Sequence, residues 1–121
     1  MISLKDVSES YDFYTGVPDS RLKSFIKEIE NSVFKHIPAL NEGQAIGIAV
    51  GAELAGMKSC VYLQNSGLGN CINALTSLCI PHKIYPLLVV GHRKGLPQHK
   101  VMGEVDEMML KLIGYTNYII V

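Results

Sequence analysis

The residues most able to do chemistry begin with Glu42. It follows Asn41 and opens the apolar segment 45–56, AIGIAVGAELAG, whose only charge is Glu53. A carboxylate at the mouth of such a helix has two readings. In the first, Asn41 is the N-cap, Gln44 completes a variant capping box, and Glu42 merely favours the positive end of the helix dipole. In the second, the carboxylate is held at an apolar wall for proton transfer. Desolvation then favours its protonated form while the helix terminus favours the anion, and the local sequence leaves that balance open.

Two further stretches could carry chemistry. The turn Ser66-Gly67-Leu68-Gly69-Asn70 could offer backbone N–H groups to an anion at a helix start. It lacks the third glycine and the acid of a dinucleotide fingerprint, and the lysine of a P-loop, so a plain strand-to-helix turn competes. His92, Arg93, Lys94, His99 and Lys100 crowd one loop. That loop reads either as solvated or as a place to recognise an anionic substrate, with Arg93 as the fork and His99 as an acid–base side chain. His36 and His82 lie at element edges and read as structural or solvated. Cys60, Cys71 and Cys79 are odd in number and lack CxxC or metal-ligand spacing, so they read as buried small hydrophobes.

The elements that must position these residues follow from periodicity and breakers. Residues 1–10 are irregular, with room for one helical turn. A short strand over 12–17 stops at Pro18-Asp19-Ser20, where Asp19 or Ser20 caps a helix over 20–30 with Leu22, Phe25, Ile26 and Ile29 on one face. A second strand over 36–40 feeds the Glu42 helix. That helix is apolar all round and expected to be buried, with Gly47, Gly51 and Gly56 serving close packing against another element or subunit. A third strand over 59–64 leads through the 65–70 turn into a helix carrying Ile72, Leu75, Thr76 and Cys79. The apolar run 85–90 is a strand buried on both faces. A polar loop over 91–103, a helix over 104–112 and a strand over 118–121 complete the pattern. Strands alternating with helices predict a three-layer, doubly wound α/β domain with a mainly parallel sheet. Ligands of such sheets bind beyond the carboxyl ends of the strands, which here are 15–20, 41–42, 65–70 and 91–99.

Composition narrows the classes. At 121 residues the chain suits one domain spanning 1–121. Hydrophobic residues make up 48% and mean hydropathy is +0.21, an excess expected to enter a subunit or domain interface. No apolar run approaches a membrane span. Eleven Lys+Arg balance eleven Asp+Glu, so no basic field points to nucleic acid. No signal segment opens the chain, and a cytoplasmic location is the expectation. The chain ends inside a strand with no closing helix, which suggests a fragment, a split subunit or a C-terminally truncated product.

Three motifs taken together, Thr15-Gly16-Val17-Pro18-Asp19-Ser20, Asn41-Glu42-Gly43-Gln44-Ala45 and Gln64-Asn65-Ser66-Gly67-Leu68-Gly69-Asn70, resemble the pyrimidine-binding domain of phosphonopyruvate decarboxylases. The related sulfopyruvate decarboxylase α-subunits are similar. Ala74-Leu75-Thr76-Ser77-Leu78, Gly91-His92-Arg93 and Pro97-Gln98-His99 extend the resemblance from Tyr11 onward. It implies a thiamine-diphosphate-binding fold and decarboxylation of an anionic 2-oxo acid. By the same resemblance Glu42 hydrogen-bonds N1′ of the aminopyrimidine and promotes loss of the thiazolium C2 proton, and the cofactor holds the electrons released with CO₂. Asn65, Gly67, Leu68, Gly69 and Asn70 would approach the cofactor. Asp19, Ser20, Gln98 and the catalytic His99 would line the substrate side, and Arg93 is added as the anion's partner. No Gly-Asp-Gly motif occurs, so diphosphate and Mg²⁺ are expected to be held by a partner domain or subunit in a homo- or hetero-oligomer, the isolated chain being inactive. A non-catalytic oligomerisation or regulatory remnant, and a small flavodoxin-like nucleotide-binding module, are the competing expectations.

Overall fold

The structure, a computed structural model, describes residues 1–121. Five strands, β1 (Phe13–Gly16), β2 (Lys35–Pro38), β3 (Ser59–Gln64), β4 (Leu87–Gly91) and β5 (Tyr118–Ile120), form one sheet in the order β2-β1-β3-β4-β5. Every pairing is parallel. The helices are α1 (Lys23–Glu30), α2 (Glu42–Leu54), α3 over 72–82 and α4 (Lys100–Ile113).

Right-handed crossovers dictate the layers. The chain moves from β1 outward to β2 through α1, then reverses across β1 to β3 through α2. The two connections therefore pack on opposite faces. Leu22, Phe25, Ile26 and Ile29 seat α1 against Tyr14, Cys60, Tyr62 and Val89 on one face. On the other, Ala45, Ile46, Ala49 and Val50 of α2 meet Val61, Leu63, Leu88, Val90, Leu75 of α3 and Leu110 of α4. This is the three-layer doubly wound architecture expected from the alternation of elements. β3 and β4 are buried along almost their full length because helices cover both faces. The edge strand β2 is short and largely exposed, and Lys35 and Pro38 discourage further pairing.

Four local expectations need correction. The last helix begins at Lys100, after a 3₁₀ turn Pro97–His99, rather than near Glu104. Pro97 initiates it, and Gly103 is tolerated inside it because the chain crosses there: a Cβ on Gly103 would lie 2.1 Å from Lys94 Cβ. The second is the cap of α1's leading turn. Asp19 holds the N-cap position, but its side chain makes no capping bond. At α2, Asn41 Oδ1 does accept from the Gln44 N–H at 2.9 Å, yet Gln44 Oε1 accepts from Leu40 N rather than closing the box on Asn41. Finally, α2 is not buried all round. Gly47, Gly51 and Leu54 are exposed, and no atom of another element lies within 4 Å of a Cβ built at Gly47, Gly51 or Gly56. Within this chain those glycines pack against nothing.

The three cysteines are free and buried, as expected. His36 Nε2 lies 2.7 Å from the Tyr62 hydroxyl and is structural, whereas His82 is exposed, with Nδ1 2.9 Å from the Leu78 carbonyl one turn earlier. No helix is long and apolar enough to cross a membrane.

Candidate active site

All the candidate residues lie at the carboxyl edge of the sheet, around the point between β1 and β3 where the winding reverses. Asn41, extended and capping, turns the chain from β2 into α2 and sets Glu42 in the first helical turn. The tight turn after β3, Asn65–Asn70, passes directly beneath it. Asn70 Nδ2 donates to Glu42 Oε1 at 2.8 Å, while Oε2 accepts no hydrogen bond within the chain. Gly67 is required by the closeness of the approach: a Cβ there would lie 2.4 Å from Glu42 Cγ and 2.6 Å from Oε2. Glu42 remains half-buried, with one oxygen held and the other free.

The turn is fastened from below. Asn65 and Leu68 are fully buried and Gly67 is buried beneath Glu42, so of the turn's five candidate residues only Gly69 and Asn70 are open to a ligand. The Cys71 thiol donates weakly to the Gly67 carbonyl at 3.5 Å. Burial pushes that thiol up to about 12, with the neighbouring Glu42 charge acting in the same direction, so it serves here as a packed apolar group.

A second cluster joins the ends of β1 and β4. Arg93 Nε donates to Asp19 Oδ1 at 3.2 Å, and Arg93 also donates to the Ser20 hydroxyl. Asp19 is buried, and its Oδ2 has no partner. The guanidinium foreseen as an anion's fork is thus already paired with a buried carboxylate, and only its remaining N–H groups are available to a ligand.

The structure brings together Glu42 with Gly67 and Asn70, and Asp19 and Ser20 with Arg93. Asn65 links the two clusters, because its Nδ2 donates to the Arg93 carbonyl at 2.9 Å. Gln98 is exposed on the turn before α4. His99 is half-buried with an unpartnered Nδ1, and no hydrogen bond ties either residue to Glu42 or Arg93. Glu42 lines none of the main clefts on the chain. The site therefore lies open at the surface. No cluster of three or more His, Cys, Asp or Glu side chains stands ready for a metal.

One residue at the site escaped the reading of the sequence. Asp106 is 4% exposed and accepts from His92 Nδ1 at 2.6 Å and from Asn65 Nδ2 at 3.0 Å. The signal was present: an acid falls in the core-facing stripe of α4 with Met102, Met109, Leu110 and Ile113, where a charge is costly unless partnered.

No protein-family model matches the chain. It is 40% identical over 121 residues to the sulfopyruvate decarboxylase subunit alpha of Methanocaldococcus jannaschii, spanning 96% of this chain and 70% of that protein. Against the subunit alpha of Methanococcus maripaludis it is 41% identical over 95 residues, 78% of this chain and 56% of the relative. Against the phosphonopyruvate decarboxylase of Streptomyces viridochromogenes it is 38% identical over 103 residues, 80% of this chain but 26% of the relative. A three-layer parallel domain with this length of similarity identifies the chain as a member of the sulfopyruvate and phosphonopyruvate decarboxylase family.

Proposed function

We propose that this chain is the pyrimidine-binding part of a thiamine-diphosphate-dependent decarboxylase acting on an anionic 2-oxo acid. The substrate is 3-phosphonopyruvate, giving phosphonoacetaldehyde and CO₂, or sulfopyruvate, giving sulfoacetaldehyde. The observation that carries this reading is Glu42: one carboxylate oxygen is anchored by Asn70, the other accepts no hydrogen bond, and Gly67 packs closely against the side chain. Such a group can accept and return a proton at a ring nitrogen, which fits N1′ of an aminopyrimidine.

The residues present suit that cofactor. Glu42 would meet the pyrimidine edge, and the exposed Gly69 and Asn70 would offer the adjoining surface, with Asn65, Gly67 and Leu68 supporting them from beneath. When bound, thiamine diphosphate supplies the electron sink for the pair released with CO₂. Glu42 holds the proton on the cofactor side. Asn70 fixes the rotamer of Glu42, so the carboxylate need not reorganise during transfer. Asp19, Ser20, Arg93, Gln98 and His99 line the substrate side, with Arg93 positioned by Asp19 and its free N–H groups directed to the anionic head.

A site open to solvent cannot exclude water by itself, and water would compete for the proton. Completion by a diphosphate- and Mg²⁺-holding domain or subunit follows, and the exposed small-residue face of α2 is the surface offered to it. The M. jannaschii relative is named as a subunit, which agrees with such an assembly.

The test is CO₂ release from both acids with thiamine diphosphate and Mg²⁺, using the chain alone and mixed with a diphosphate-domain chain from the same source. Turnover in the mixture on one acid establishes the function and names the substrate. The Glu42→Gln variant should fold normally and lose turnover. Full activity of that variant, or a demonstrated complex inert on both acids, refutes the proposal.

A further inference from the structure

Asp106 is the most deeply buried acid of α4, and the chain provides no lysine or arginine to neutralise it. Its three donors are instead His92 Nδ1 and Asn65 Nδ2 on Oδ2, and the Glu107 backbone N–H at 2.7 Å on Oδ1. A carboxylate removed from water is kept only where each lone pair is used, so these contacts constrain geometry closely.

The two side-chain arms lead to different parts of the site. Asn65 is the first residue of the turn that presses Gly67 and Asn70 against Glu42. Both of its amide hydrogens are committed, one to Asp106 and one to the Arg93 carbonyl, while its Oδ1 is buried without a partner. The reversed amide would set its oxygen against two other acceptors, so its orientation is decided. His92 directly follows β4 and precedes Arg93, which holds Asp19 and Ser20. Behind this loop, Gly103, one turn before Asp106, lets α4 close on Lys94. The Glu42 cluster and the Asp19–Arg93 cluster are thus both tied to Asp106, beside the direct bond from Asn65 to the Arg93 carbonyl.

We propose that Asp106 is the positioning residue of the site, setting the spacing between the turn that carries Glu42's contacts and the loop that carries Arg93, through Asn65 and His92. The inference rests on the decarboxylase reading for its kinetic consequence, but not for its structural one. Asp106 touches no reacting atom. Whenever the His92 ring is neutral, the acceptor facing Nδ1 also selects its Nδ1–H tautomer.

The experiment has two readouts on the assembled enzyme and the full chain. ¹⁵N NMR of the neutral His92 ring should show Nδ1–H in the unaltered chain and loss of that preference in Asp106→Asn. In the assembled enzyme Asp106→Asn should lower kcat roughly ten- to hundredfold with a much smaller change in KM, as expected for misplacement of reacting groups. If Asp106→Asn does not fold, His92→Leu and His92→Asn decide the matter. Asparagine keeps a donor where Nδ1 stood, so it should recover most of the activity that leucine loses. An Nε2–H tautomer in the unaltered chain, or wild-type kcat in a folded Asp106→Asn enzyme, overturns the inference. A His92→Asn enzyme as impaired as His92→Leu overturns it too, since His92 would then act directly. An unaltered enzyme inactive on both acids overturns the decarboxylase reading instead, and the NMR result still decides whether Asp106 orients His92.

Discussion

Replacing Gly67 by alanine separates the position of Glu42 from the stability of the fold. The added Cβ would stand 2.4 Å from Glu42 Cγ, 2.5 Å from Cδ and 2.6 Å from Oε2, where ordinary contact begins at 3.4 Å. The difference at Cγ, 3.4 less 2.4, requires the side chain to withdraw by about 1 Å. Glu42 can yield because it is half-buried and only its side chain is in the way. Gly67 does not occupy the left-handed region, so alanine brings no backbone strain and reduces the freedom of the unfolded chain, a gain of about 0.4–1 kcal/mol. The two effects oppose each other, and net stability should stay within about 1 kcal/mol, a few degrees in Tm for a domain of this size. Turnover should not survive so well. A misplacement of about 1 Å of a proton-transferring group costs on the order of a hundredfold. The assay is kcat/KM for CO₂ release by the assembled enzyme, beside a thermal melt of the same preparation. A folded Gly67→Ala enzyme retaining more than roughly a third of wild-type activity would refute the placement of Glu42 as the decisive group.

Other outcomes follow from the same contacts. Arg93→Met leaves the Asp19 carboxylate buried without its cation and should cost about 2 kcal/mol in denaturant unfolding; adding Asp19→Asn should restore part of the loss, and strict additivity would show that the pair is not coupled. Burial raises the thiols of Cys60, Cys71 and Cys79, the last two to about 12 and about 11, so none should react with a thiol reagent near neutrality until the chain unfolds. Because the folded values lie above the unfolded ones, the thiols' contribution is complete below about pH 9 and lost as pH rises through the folded values, giving an alkaline transition in a pH melt. His36 behaves in the opposite sense. Burial lowers it below its ordinary 6.5, with the charge of Glu30 only partly opposing. Its contribution is present above about pH 6.5 and lost as pH falls below that. His36→Gln should flatten the acid limb of the Tm–pH curve, and an unchanged limb would place the sensitivity elsewhere.

Much of the fold was legible because its determinants are local. The apolar run that became β4 is flanked by breakers, and Phe25, Ile26 and Ile29 mark one face of α1 at helical spacing. Asn41 before Glu42 announced the start of α2, and its cap bond formed as read. The start of α4 was misread because Gly103 looks like a breaker in isolation. Its purpose is visible only where the 93–94 loop crosses it.

The sequence by itself determined which residue types stand beyond each strand: Asp19 and Ser20, Glu42, the 65–70 turn and the 92–99 loop. That follows from strand and helix periodicity and from the rule that parallel sheets bind ligands at their carboxyl ends. Only the tertiary structure decided how those residues pair. Asp19 and Arg93 are 74 positions apart, Glu42 and Asn70 are 28, and Asn65 and Asp106 are 41. No periodicity reaches across such separations. Strand order and helix packing bring these groups into contact, and burial then obliges each carboxylate to take whichever donor the fold has placed beside it.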